Sequence, residues 1–149
     1  PCSPEWAPNN GPAKLCGTPL PLRWQALANP ADLSFDMIAQ VSPQQIQDWI
    51  QAQSGHGAAV VLDVREDWEV QTASIQPQGF ELLHIPMGQL VRRLSEIDSH
   101  RPVACFCHHG GRSMQVAQYL SQQGFERVAN IAGGINAWSA QVDPTVPLY

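Results

Sequence analysis

From Phe35 onward the chain alternates short apolar runs with amphipathic stretches, and this alternation constrains the fold more than any other feature. Short apolar runs bounded by turn signals predict strands, and apolar residues at helical spacing predict helices. The predicted strands are 37–41, 60–64, 82–85, 103–107 and 128–131, and the predicted helices are 43–53, 87–97, 112–123 and 135–141. This alternation predicts an α/β domain with a central, mostly parallel sheet of about five strands and helices on both faces.

The length of 149 residues allows one domain with a hydrophobic core and is too short for two ordinary ones. We assign this domain to residues 36–142. Residues 1–35 are rich in Pro, Gly and Asn and show no sustained period, which predicts an irregular N-terminal arm. Residues 143–149 are predicted to form an extended C-terminal tail packed on the surface.

The charge pattern limits the classes of partner. The formal net charge is -5 and only 14% of the residues are charged, so the clustered Lys and Arg of a nucleic-acid-binding surface are missing from the sequence. No apolar stretch reaches the roughly 18 residues of a membrane span. We expect a cytoplasmic protein, monomeric or weakly dimeric, with no nucleic-acid or membrane partner; a removed N-terminal signal stays an open alternative.

The four cysteines form two groups, Cys2 with Cys16 and Cys105 with Cys107. In a chain with few cysteines, we expect reduced thiols, and a bridge between Cys2 and Cys16 is the less favoured alternative. Cys105 lies within a predicted buried strand and is expected to belong to the core.

The loop that starts at Cys107 carries the clearest chemical signal. Two glycines in this loop permit backbone conformations that turn successive N–H groups toward the sulfur. The N-terminus of the following helix and the guanidinium of Arg112 favour both a thiolate and a bound anion. We therefore predict that Cys107 is a nucleophile that acts on a small anion. The predicted substrate-binding residues are His108, His109, Gly110, Gly111, Arg112 and Ser113.

Other interpretations of this loop are weaker. A purely structural role for Cys107 does not explain why two glycines, two histidines and an arginine follow it within five positions. The two histidines serve equally well as polar groups at the rim or in a specific catalytic role. Zinc binding is disfavoured because adjacent histidines rarely converge on one ion and the paired C-x-x-C spacing is absent. We expect no metal and no other cofactor.

Asp63 and Arg65 follow another predicted strand. The usual interpretation of such a neighbouring pair is an ion pair that holds the turn after the strand, and a supporting role for the Cys107 loop is compatible with it. Because the carboxyl ends of parallel strands meet at one edge of the sheet, Asp63, His84 and Cys107 are expected to lie close together.

With these motifs identified, the sequence resembles the rhodanese family of single-domain sulfurtransferases over roughly residues 36–142. The resemblance rests on four motifs in order. They are Asp63-Val64-Arg65-Glu66 with Glu69, His84-Ile85-Pro86, the loop from Cys107 to Ser113 with its C-x4-R spacing, and the segment from Gly133 to Trp138. Leu83 departs from the family pattern, which more often has a small residue before the His-Ile-Pro motif.

The resemblance implies that Cys107 takes sulfane sulfur from thiosulfate or a persulfide and passes it to cyanide or a thiol, including a protein thiol. It also implies that Arg112 binds the sulfonate oxygens of thiosulfate and that Asp63 and Arg65 brace the site. Two alternatives stay open: a non-enzymatic sulfur carrier or redox sensor, and an oxyanion enzyme related to phosphatases or arsenate reductases. The second is disfavoured because those relatives have a longer loop between Cys and Arg.

Overall fold

The computed structural model describes residues 38–149. The predicted arm at 1–35, the first cysteine pair and the start of the first predicted strand lie outside these residues. Within them, no helix is long and apolar enough to cross a membrane.

The sheet has five strands, all parallel, in the spatial order β1-β5-β4-β2-β3. The strands are β1 (Ala39–Val41), β2 (Val60–Asp63), β3 (Glu81–His84), β4 (Val103–Phe106) and β5 (Val128–Ile131). β2 and β4 are buried throughout, as expected for central strands that helices cover on both faces. The predicted fold class is therefore confirmed. β5 has its predicted bounds, β2, β3 and β4 differ from theirs by one residue at one or both ends, and β1 begins at Ala39.

Within residues 38–149, four α-helices connect the strands and a fifth follows β5. They are α1 (Ile46–Ala52), α2 (Asp67–Thr72), α3 (Leu90–Arg93), α4 (Gly111–Gln122) and α5 (Gly134–Gln141). The helices predicted at 43–53 and 87–97 were too long, because 3₁₀ turns replace their ends: Pro43–Gln45, Met87–Gln89 and Leu94–Glu96.

Helix α2 was not predicted. Its start is a capping box in which the Glu66 side chain accepts from the backbone N–H of the third helical residue, while the Glu69 carboxylate accepts from the backbone N–H of Glu66. Glu66 followed three residues later by Glu69 is therefore the sequence signal for the N-terminus of this helix. A helix of six residues is too short for a periodic apolar pattern to predict it.

Alternate residues of the central strands enter two separate cores. Val61, Ala104 and Phe106 point to one face of the sheet, where they pack with Trp138 of α5. The residues between them point to the other face, where the core includes Leu62, Cys105, and Val116 and Leu120 of α4. The predicted core position of Cys105 is correct, and the two cores place helices on both faces as expected.

Parallel register brings the chemical groups to one edge of the sheet. Asp63, at the end of β2, is in register with His84 of β3 on one side and with Phe106 of β4 on the other. Cys107 follows Phe106 directly. The carboxyl edge of the sheet therefore collects Asp63, His84 and Cys107, as the strand pattern predicted.

The turn between β5 and α5 packs against the start of the Cys107 loop. Gly134 has a φ of +56°, and a Cβ at this position would overlap the backbone carbonyls of Cys107 and His108. The N–H of Ile135 donates to the Cys107 carbonyl at 2.9 Å, and the N–H of Asn136 donates to the His108 carbonyl at 3.2 Å. Glycine is required here because only a residue without a side chain lets these two backbones approach.

The tail is more deeply engaged than its prediction as a surface segment suggested. Val146 is buried in the core that contains Trp138. Its carbonyl accepts a hydrogen bond from the Ser139 hydroxyl of α5 at 2.7 Å. This anchor leads the last residues of the chain back toward the carboxyl edge of the sheet.

Replacing Gly134 by Ala should lower the free energy of unfolding by more than about 2 kcal/mol, because the new methyl group meets backbone atoms in a left-handed conformation. Urea denaturation measures this effect. Gly55→Ala is the matched control, since a Cβ at Gly55 meets nothing within 4 Å. Equal stability of the two variants would contradict the close approach of the loop and the β5–α5 turn.

Candidate active site

Cys107 lies between the end of β4 and the start of α4, and 1% of its surface is exposed. Its Sγ accepts the backbone N–H of Gly110 at 3.0 Å and lies 3.2 Å from the hydroxyl of Ser113. The first contact requires the loop to fold back over the sulfur. Gly110 makes this possible with a φ of +100°. The structure therefore places a cysteine sulfur beneath a loop N–H at the N-terminus of a twelve-residue helix.

A buried polar network holds the loop from below. The Ser113 hydroxyl lies 2.6 Å from Oδ1 of Asn130 in β5, and Nδ2 of Asn130 donates to Gln40 in β1 and to the Gly110 carbonyl. Since Nδ2 has two acceptors, Oδ1 must face the hydroxyl and receives its proton. Ser113 is then free to accept from a Cys107 thiol. With a thiolate, the same proton can turn to the sulfur.

His108 and His109 follow the cysteine and stack on each other, with ring centroids 3.9 Å apart. The other neighbour of His108 is the ring of Tyr149, at 4.2 Å and nearly parallel. Burial, followed by the charge of His109, lowers the pKa of His108, so its imidazole is neutral near pH 7. Its Nε2 is buried and has no hydrogen-bond partner among the described residues.

Asp63 and Arg65 form the predicted ion pair, and it is buried. Arg65 donates through Nε and Nη2 to the two carboxylate oxygens, at 2.9 and 2.7 Å. Burial opposes the charge of Arg65 and is the largest single influence on its pKa. The hydrogen bonds and charges of Asp63 and Tyr149 together outweigh it and raise the pKa of the guanidinium. The third nitrogen, Nη1, donates to the Ala73 carbonyl beyond α2 at 2.9 Å and to the Tyr149 hydroxyl at 3.0 Å.

Arg112 does not stand free at the rim of the loop. Both of its terminal nitrogens donate to the carboxylate of Glu69, at 2.8 and 2.6 Å. The side chain of Glu69 is 4% exposed and that of Arg112 is 36% exposed. The hydrogen bond from Arg112 lowers the pKa of Glu69 to about 2, and the carboxylate in turn raises the pKa of Arg112. The sequence placed Glu69 in a family motif without predicting this contact.

Tyr149 joins the two ion pairs. Its hydroxyl accepts from Arg65 and donates to Oε1 of Glu69 at 3.2 Å. Burial is the main reason why the pKa of this phenol is raised, so the hydroxyl keeps its proton and remains a donor. Trp68 packs edge-on against the same ring at 5.9 Å. The local sequence of the tail carries no signal for this position, because every partner is distant along the chain.

The predicted site residues therefore come together around Cys107, and the structure adds Glu69, Asn130 and Tyr149 to them. His84 lies at the same edge, where its Nε2 donates to the Arg65 carbonyl at 2.8 Å. Within residues 38–149, no three His, Cys, Asp or Glu side chains lie close enough together to hold a metal ion. The arrangement combines a buried cysteine sulfur, the backbone N–H of Gly110 directed at it and a carboxylate-paired guanidinium.

The model of the rhodanese-like domain family matches residues 46–141. The chain belongs to the rhodanese family. The match includes every predicted site residue, whereas Gln40 and Tyr149 lie outside it.

Individual relatives agree with this assignment. A rhodanese-like/PpiC domain-containing protein 12 from Arabidopsis thaliana is 42% identical over 95 residues, which cover 61% of the chain and 30% of that relative. The thiosulfate sulfurtransferase GlpE of Glaesserella parasuis is 36% identical over 104 residues, covering 69% of the chain and 88% of GlpE. The crystal structure of a rhodanese-related protein from Thermoplasma volcanium has a TM-score of 0.59 at 28% identity, covering 74% of the chain and 99% of that structure.

The Glu69–Arg112 pair should make stability depend on pH. The pKa of Glu69 is about 2 in the folded domain and 4.5 as its ordinary value, so the stabilisation is complete above pH 4.5 and is lost as the pH falls through 2. We expect Glu69→Gln to cost on the order of 2 kcal/mol at about pH 6, after allowing for solvent around Arg112, and clearly less at about pH 3. Urea denaturation at both pH values measures the difference.

Glu96→Gln is the control for this experiment. Glu96 also pairs with an arginine, Arg93, but in an exposed position where ion pairs contribute little. A cost for Glu69→Gln that is the same at both pH values would contradict the assigned pair.

Proposed function

We propose that this rhodanese-family domain is a sulfurtransferase in which Cys107 carries the transferred sulfur as a persulfide. One observation carries the proposal: the Cys107 Sγ accepts the Gly110 N–H under a glycine loop at a helix N-terminus. Such a loop suits a negatively charged sulfur, first as a thiolate and then as a persulfide. The sulfurtransferase names of several relatives support sulfur transfer as the general activity.

The first half-reaction loads the cysteine from thiosulfate or a persulfide. The Cys107 thiolate attacks the sulfane sulfur, a new S–S bond forms, and the old S–S bond of the donor breaks. The electron pair of the broken bond leaves with the departing group. With thiosulfate the products are the cysteine persulfide anion and sulfite. With a protonated alkyl persulfide they are the cysteine hydropersulfide and an alkyl thiolate.

The second half-reaction unloads the outer sulfur. A thiophilic acceptor, cyanide or a thiolate, attacks it, and the Cys107 thiolate leaves with the electron pair of the persulfide bond. Cyanide becomes thiocyanate and a thiolate becomes a new persulfide. The two steps give ping-pong kinetics because the first product leaves before the acceptor reacts.

Mass spectrometry after incubation with a sulfane donor should find one added sulfur atom on Cys107. Cys107→Ser should abolish the adduct and the transfer, because serine cannot form a persulfide. Cys105→Ala is the matched control: Cys105 is fully buried, burial raises the pKa of its thiol, and the variant should keep both. A sulfur adduct that persists in Cys107→Ser, or no adduct with any donor, would overturn the proposal.

Replacing Arg112 by Ala should raise the KM for thiosulfate roughly tenfold or more. Two effects act together: the guanidinium is lost, and the Glu69 carboxylate is left unpaired beside an anionic donor. The substitution should also lower the free energy of unfolding by about 2 kcal/mol, because it removes the same ion pair as Glu69→Gln, while leaving the domain folded. Initial rates over a range of thiosulfate concentrations, with thermal unfolding as the check on folding, measure this. Unchanged kinetics would exclude Arg112 from donor binding.

A further inference from the structure

The guanidinium of Arg112, which the sequence assigned to a bound anion, already has an anionic partner. Both terminal nitrogens donate to the Glu69 carboxylate, and two other hydrogen bonds fix that carboxylate's position. Glu69 accepts the backbone N–H of Glu66 at 2.8 Å, accepts the hydroxyl of Tyr149 and lies almost fully out of solvent. A donor that binds Arg112 must therefore compete with a built-in carboxylate.

The remaining charges around the loop do not compensate for this. The buried guanidinium of Arg65 is paired with Asp63 and contributes no net charge. His108 is neutral near pH 7. The site thus offers a donor the backbone N–H of Gly110 beside the sulfur, and the two guanidinium groups near it are both paired with carboxylates.

The two classes of sulfane donor differ most in charge. Thiosulfate is a dianion and releases sulfite, which is also a dianion. An uncharged alkyl hydropersulfide reacts at its outer sulfur and releases a thiolate with a single charge. In a partly buried site, charge without a counter-charge is costly, so neutralisation of Arg112 weakens the binding of the dianion more than that of the alkyl persulfide.

Tyr149 holds this arrangement in place from outside the family-matched residues. Its hydroxyl joins Arg65 to Glu69, and its ring covers His108. The segment that carries it is anchored by buried Val146 and the bond from Ser139. The tail therefore holds the Glu69 carboxylate in the position in which it pairs with Arg112.

On the basis of the proposed sulfur transfer, we propose that Glu69 is a specificity-determining residue. By pairing with Arg112, its carboxylate selects alkyl persulfides over thiosulfate as sulfur donors. Tyr149 is the positioning residue that holds the Glu69 carboxylate against Arg112. The Cys107 thiolate takes the outer sulfur of the protonated alkyl persulfide, and the electron pair of the broken S–S bond leaves with the alkyl thiolate. The loop donors serve both classes of donor. The preference for one donor over the other comes from the pairing of the Arg112 guanidinium with Glu69.

The test compares the first half-reaction with thiosulfate and with freshly generated hydroxyethyl persulfide, following sulfur loading of Cys107 in the whole chain by mass spectrometry. Wild type should load faster from the persulfide at equal concentration. In Glu69→Gln, the loading efficiency with thiosulfate relative to persulfide should rise about tenfold, the effect of one charge in a partly exposed site. Glutamine still accepts the Glu66 N–H, so helix α2 keeps its cap.

Tyr149→Phe tests the positioning role without removing a charge or the ring over His108. We expect the same ratio to rise about threefold, because the carboxylate loses one hydrogen bond and yields Arg112 more readily. A merely structural role of the hydroxyl would lower both rates alike and leave the ratio unchanged. This variant also keeps the proposal testable if Glu69→Gln does not fold.

Glu81→Gln is the charge-matched control, because Glu81 pairs with Arg101 at the start of β3, at the opposite edge of the sheet. It should leave the ratio unchanged. A wild type that prefers thiosulfate, or a ratio unaltered in both site variants, overturns the specificity proposal while sulfur transfer stands. Failure of wild type to load from either donor overturns the proposed function itself.

Discussion

The buried guanidinium of Arg65 is the constraint on which the arrangement around the active site depends. A charge without solvent must have partners for its donors, and leaving any of them unpaired is strongly destabilising. Arg65 is 0% exposed, and its partners come from the end of β2, from the carbonyl of Ala73 beyond α2 and from Tyr149 in the tail. Arg65 thereby fixes three separate segments of the chain at one edge of the sheet.

The second constraint acts on the other side of the Cys107 loop and involves backbone alone. The N-terminus of α5 donates to the carbonyls of Cys107 and His108, and Gly134 lets the two backbones touch. Side-chain charges hold the loop through Arg112, and main-chain donors hold it through α5. The position of the sulfur therefore depends on both sets of contacts, of which the backbone contacts with α5 involve no charged side chain.

Between these two constraints, the charges near the sulfur are arranged in neutral pairs. Because Arg112 lies five residues after Cys107, the sequence predicted that its guanidinium binds an anionic substrate. In the fold, the Glu69 carboxylate is the partner of this guanidinium. The Cys107 loop, inside the residues matched by the family, is therefore combined with a carboxylate that Tyr149, outside them, contacts. Under the proposed selectivity, the loop serves both classes of sulfur donor, and the charges around Arg112 discriminate between them.

The sequence by itself determined the parallel α/β fold, the edge at which Asp63 and Cys107 meet, and the loop that surrounds the sulfur. These follow from local pattern: strand and helix periods, glycines beside a cysteine, and the rule that carboxyl ends of parallel strands share an edge. Only the tertiary structure decided what Arg112 binds. Glu69 precedes Arg112 by 43 residues, and Tyr149, which contacts Glu69, follows Glu69 by 80 residues. Such contacts depend on packing across the whole domain, which no local pattern encodes.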